Sequence, residues 1–252
     1  MNSKKTITIM IAILSIIIIP AVSAQVNVPI GAETATSIRN ETINPGLYDP
    51  AMVEAFAGNL TELTITGVTQ TKSWQGFFGN VSGTIILEDS SGFRFYDWTA
   101  AEPQGQVYAS ANQTISWTTV DCAPIEDPAF RTPWYDFYGM LDTDYDNINI
   151  TYNLTLHDEF YVGLITIPQD TCRSTYTFVN DARQTDDFPA VILHDENDAL
   201  IFTALIEDRA IGARQGKIGY DGGDYDFQLL VAERGRYGDT DTTPYYFWIE
   251  IY

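Results

Sequence analysis

The densest set of chemistry-bearing residues in the chain is DTDYDNINITYNLT, residues 142–155. Asp142, Asp144 and Asp146 stand at alternate positions, the spacing with which a calcium loop begins to collect oxygen ligands. An EF-hand loop also needs a sharp turn at its sixth position and a bidentate glutamate at its twelfth. Those places hold Asn147 and Asn153. Asparagine tolerates the turn, but its amide cannot chelate as a carboxylate does. The three aspartates therefore define a non-EF-hand candidate site, with calcium as the ion its oxygen donors would take. The competing reading is a solvated turn, and no cofactor is required.

Asn149 and Asn153 each open an Asn-x-Thr triplet, and further Asn-x-Ser/Thr triplets begin at Asn40, Asn59, Asn80 and Asn112. Chance would place about two such triplets among the eleven asparagines after residue 24. The excess marks an exported protein carrying N-linked glycans. From Asn147 onward Ile148, Ile150, Tyr152, Leu154 and Leu156 alternate with Asn147, Asn149, Thr151, Asn153 and Thr155. That pattern predicts a strand with its apolar face inward and both glycan sites outward, about 13 Å apart.

Other chemistry is sparse. His157 and His194 stand alone beside Asp158 and Asp195, which reads as surface histidine. The chain has no H-E-x-x-H, C-x-x-C or G-x-S-x-G, and GNVSG at 79–83 has the wrong spacing for a nucleophile elbow. No catalytic residue is assigned. With 34 acids present, paired carboxylates of the glycosidase kind cannot be told from chance neighbours. Trp134 and Tyr135, in the turn-rich RTPWYDFYG at 131–139, are candidate aromatics for stacking on a sugar or on a partner, against ordinary core packing.

The elements that must position these residues read as β. LTELTITGV, VSGTIILED, FRFYDW, QVYASA, TISWTTV, FYVGLITI, STYTFV, AVILH, ALIFTALIE, DFQLLVAE and YYFWIEIY are short and rich in Val, Ile, Thr and aromatics. SSG, DEND, DGGD and GDTDTTP separate several of them as turns. The expected fold is an all-β antiparallel β-sandwich, immunoglobulin-like or jelly-roll, with at most one short helix, at 49–58. The domain expected is single, residues 25–252, with an extended N-terminal segment over 25–45.

Lys4 and Lys5, an apolar run from Ile7 to Ile19 and Val22-Ser23-Ala24 make residues 1–24 a signal peptide cleaved before Gln25. That run is too short to remain as a bilayer span. The remaining chain carries 11 basic and 34 acidic residues, net −23. Nucleic acid is therefore excluded as a partner by Coulomb repulsion. Cys122 and Cys172, the two cysteines, are expected to form a disulfide in an exported chain. Val26, Val28 and Ile30 alternate ahead of a polar segment and are candidates for a strand donated to a neighbouring subunit.

Two blocks, SWQGFFGNVSGTIILEDSSGFRFYDW (73–98) and IGYDGGDYDFQLLVAERGRYGDTDTTPYYFWIEIY (218–252), resemble segments of uncharacterised secreted archaeal cell-surface proteins. The resemblance implies an extracellular archaeal setting and carries no active site with it. The expectation is thus an exported, glycosylated structural or adhesive protein of the cell surface. It would have no integral membrane segment, and its partners would be itself or other surface proteins, in a filament or envelope. The alternatives are a carbohydrate- or calcium-binding sandwich module and a secreted hydrolase.

Overall fold

The structure, a computed structural model, describes residues 28–38, 52–57, 59–65, 71, 73–100, 104–207, 217–234 and 242–252. The expected signal segment 1–24, Val26 and Asn40 lie outside the described residues. The first strands are β1 (Ile30–Gly31), β2 (Trp74–Gly79), β3 (Gly83–Glu88), β4 (Arg94–Ala100) and β5 (Gly105–Ser110). A 3₁₀ turn (Trp117–Thr119) and β6 (Asp121–Cys122) lead into α1 (Pro128–Tyr138) and the single helical turn α2 (Ile148–Thr151). Next come β7 (Phe160–Val162), β8 (Ile165–Ile167), β9 (Ser174–Tyr176), β10 (Pro189–His194) and β11 (Leu200–Leu205). The last are β12 (Lys217–Ile218), β13 (Asp224–Tyr225), β14 (Phe227–Ala232) and β15 (Tyr246–Ile251).

The pairing of these strands is antiparallel throughout. The main sheet runs β1-β15-β5-β11-β10-β6, and β9 also pairs with β10. Its central strands are buried on both faces, so AVILH and ALIFTALIE read as continuous apolar runs. Strand alternation sorts them. Val107, Ala109, Ile192 and Phe202 face one core, completed by Phe77, Leu229 and Val231 of the β2–β14 pair and by Phe130 and Tyr138 of α1. Tyr108, Val191, Leu193 and Ile201 face the other, closed by Phe160, Val162 and Ile167 of the β7–β8 hairpin. This is the expected antiparallel, sandwich-like all-β fold.

Five local expectations are corrected. Residues 147–156 are not a strand. Asn147, with extended backbone, caps α2 by accepting from the Ile150 N–H at 3.0 Å. Ile148 and Tyr152, four apart, are 1% and 0% exposed, whereas Ile150 between them is 44% exposed. A helical turn brings those two onto one face, where strand alternation would have buried Ile150 as well.

Segment 131–139 is helix rather than turn. Asp127 accepts from the Ala129 N–H at 2.9 Å, Pro128 opens the helix, and Gly139 closes it with φ 66°. Pro133 and Gly139 resembled loop punctuation; the four-residue spacing of Phe130, Trp134 and Tyr138 was the signal for the helix.

The helix expected at 49–58 is absent over the described residues 52–57. No strand forms over 60–65, where LTELTITGV begins, and TISWTTV contains the 3₁₀ turn.

Candidate functional site

The aspartates of the opening stretch are held apart by separate partners. Asp142 pairs with Arg131 at 3.1 Å, Asp144 accepts from the Leu141 N–H at 2.7 Å, and Asp146 accepts from the Thr71 hydroxyl at 2.5 Å. Among the described residues no group of three or more His, Cys, Asp or Glu side chains is placed to hold a metal. What the loop wraps is an amide. Asn147 Nδ2 donates to the Asp142 and Asp144 carbonyls at 3.1 and 2.9 Å, and its Oδ1 also accepts from the Tyr135 hydroxyl at 2.9 Å. Asn147 is buried, so its side chain, unnoticed as a structural centre in the sequence, ties α1, the loop and α2 together.

Tyr135 is thereby committed to the interior, contrary to its expected role in stacking on a ligand. Trp134 is half-buried, lies parallel to Tyr138 at 5.9 Å and donates to the Asp198 carbonyl at 3.2 Å. The two aromatics form no shared platform.

His157 is buried, not a surface histidine. Its Nε2 accepts from the N–H groups of Thr171 and Cys172, and its Nδ1 lies 2.8 Å from the Asp158 carbonyl. Those partners assign the neutral Nδ1–H tautomer. It braces the expected disulfide, which joins Cys122 to Cys172 with Cα atoms 4.9 Å apart.

Asn59, Asn80, Asn112 and Asn153 are exposed; Asn149, inside α2, is half-buried. Asn149 and Asn153 do not share one strand face, because the strand is not there.

A cleft of about 500 Å³ is lined by Asp158, Glu159, Asp186, Glu207, Tyr176 and Tyr252, among others. Burial pushes the Glu207 carboxyl up to about 7, against the opposing effect of the Phe188 N–H that it accepts. Phe188 is fully buried with φ 53°, an uncommon backbone for an aromatic residue, and Glu207 pins it there. Glu250 is also raised by burial; its carboxylate accepts from Gly163 N–H at 3.1 Å and from the Tyr108 hydroxyl at 3.0 Å.

A carboxyl whose pKa is higher folded than unfolded favours folding below the unfolded pKa and loses that contribution as pH rises through the folded one. For Glu207 the window is from the ordinary carboxylate range to about 7. Chemical denaturation at pH 4.5 and pH 7.5 is expected to find the protein less stable at the higher pH, by up to about 3 kcal/mol from this group. Glu207→Gln should flatten much of that slope; an unchanged slope would refute the assignment.

Among the described residues, exposed large apolar side chains gather at two places. One is an N-terminal arm. In it, residues 33–38, 52–57 and 59–65 are exposed, including Ile38, Met52, Phe56, Leu60, Leu63 and Ile65. The arm's start is moored by β1, where Ile30 and Gly31 pair with Ile249 and Trp248. Ile30, considered as a donated residue, thus lies exposed at the edge of its own chain's sheet, and Val28, two residues before β1, is half-buried.

The other place is the β3–β4 hairpin. Its turn is set by Asp89, whose carboxylate accepts from the Ser91 and Phe93 N–H groups at 2.9 and 3.0 Å, and by Gly92 with φ 82°. Its base is fixed to the body. The Val81 N–H donates to Asp226 at 2.7 Å, and a Cβ on Gly83 would lie 2.3 Å from Ile251 Cδ1. Beyond the base, Ile85 stands opposite Trp98 and Leu87 opposite Tyr96, which places all four on one face. Trp98 is 50% exposed and the other three are similar. Neither strand has a second neighbour among the described residues.

Fold and surface together define an antiparallel all-β protein with a disulfide, exposed segments at 33–38, 52–57 and 59–65, and a β3–β4 hairpin with an uncovered apolar face. No protein-family model, curated protein or solved structure matches the chain. Among the described residues no helix is long and apolar enough to cross a membrane.

Proposed function

We propose that this protein is an exported, N-glycosylated structural or adhesive element of the cell surface that works by associating with further copies of itself in a filament or envelope. The observation that carries this reading is where the large exposed apolar side chains gather. On a chain of net charge −21, most of those among the described residues lie on the arm and on the β3–β4 hairpin. Contiguous exposed apolar surface of that kind marks an interaction site, since a monomer in water gains by burying it. The disulfide and the six glycosylation triplets suit an oxidising, extracellular setting.

The net charge sets the conditions. Like-charged copies repel until salt shortens the screening length to about 10 Å or less. Sedimentation velocity and negative-stain microscopy of the mature protein from its native source are expected to find monomers at low salt and ordered assemblies at high salt. A monomer at every salt concentration would overturn the proposal.

A further inference from the structure

We infer that residues 59–65 of one copy add as a strand to the β3–β4 hairpin of a second copy, an inference that rests on the self-association reading. Each partner lacks what the other supplies. A two-stranded hairpin is marginal in water and gains stability from a third strand or an apolar cover. This one projects from a fixed base with Ile85, Leu87, Tyr96 and Trp98 uncovered and both outer edges unpaired among the described residues. The arm supplies a stretch with strand alternation that forms no strand in its own chain. Leu63 and Ile65 share one face of an extended chain, and Ile65 is 86% exposed.

In strand addition, main-chain hydrogen bonds provide affinity and alternate side chains provide register. With Leu63 and Ile65 on the face of Ile85, Leu87, Tyr96 and Trp98, Leu60 falls on the opposite face, which also carries the exposed Ile86. Glu62 and Thr64 then join Thr84 and Asp97 on that opposite side. Charge favours this meeting point. Residues 59–65 hold one carboxylate, Glu62, and the four-residue hairpin face holds no acidic or basic side chain. Repulsion between two strongly acidic copies is then confined at this contact mainly to Glu62 and Asp97 on the opposite side, which high salt screens. The segment's partner is placed in a second copy because within one chain 59–65 stays exposed while the hairpin stays open.

Disulfide trapping tests the contact, since the native cysteines are bridged and the described chain has no free thiol. Full-length Leu63→Cys protein is mixed with full-length Leu87→Cys protein under mild oxidation at high salt. The control partner is Tyr145→Cys, an exposed position off the hairpin. A covalent heterodimer forming at least tenfold faster with Leu87→Cys than with Tyr145→Cys is expected. Equal rates, or a chain carrying both Leu63→Cys and Leu87→Cys that closes only on itself, would overturn the inference. Electron microscopy of the unmodified protein separates the two failures. Ordered assemblies without the cross-link would reject this contact and leave self-association standing; monomers alone would reject both.

Discussion

Replacing Cys122 and Cys172 together by alanine is expected to lower the stability of the protein by about 4 kcal/mol. The bridge spans 50 residues, and its loop contains α1, α2, β7 and β8. Opening it returns to the unfolded chain the loop-closure entropy that the cross-link had removed. The native side loses support as well. Cys122 pairs with Leu193 at the sheet margin, and Cys172 is fully buried with its N–H on His157 Nε2 at 2.9 Å. Urea denaturation should show the midpoint falling by roughly 2 M, given a slope of about 2 kcal/mol per molar for a domain of ordinary size. A change below about 1 kcal/mol would mean that the segment between the cysteines is held equally well without the bridge.

Asn147→Ala is expected to cost about 3 kcal/mol, a large effect for one polar side chain. The substitution removes the α2 cap, worth about 1 kcal/mol. It also leaves the buried Tyr135 hydroxyl and the carbonyls of Asp142 and Asp144 without their amide partner, at about 1–3 kcal/mol for groups that stay dry. Asn147→Asp keeps the cap oxygen but loses both Nδ2 donors and sets a carboxylate among Asp142, Asp144 and Asp146. It should be destabilising for a different reason, and more so at neutral pH than at acidic pH. Thermal melts with and without calcium separate this account from the cation-loop reading. Calcium should leave the wild-type midpoint unmoved. A midpoint that rises with calcium would restore Asp142, Asp144 and Asp146 as ligands.

Much of the fold was legible because strand burial leaves a local mark. Tyr108 and Val107, or Ile192 and Leu193, are neighbours facing opposite cores, so their strands are apolar at every step and bounded by turns. The cysteine pair was legible for a different reason: two cysteines leave one intrachain bridge to make. The helical segments were harder to see. Pro133 looked like a breaker, and the NINITYNLT run fits a period of two nearly as well as a helical turn.

What the amino-acid order determined by itself was the all-β class, the net acidic charge and the disulfide. Each depends on composition or on short-range pattern. Tertiary structure decided the roles of the candidate site residues, because those roles depend on neighbours distant in the chain. Asp146 meets Thr71 and Tyr135 meets Asn147, while His157 is enclosed beside Cys172. Likewise VSGTIILED and FRFYDW read as ordinary strands. That their apolar face is left open follows from where Gly83 and Val81 fix the hairpin's base, with no further strand paired to it among the described residues. A side chain's type limits the chemistry it can do, but which partner it meets, water or protein, is settled only when the sheet has closed around it.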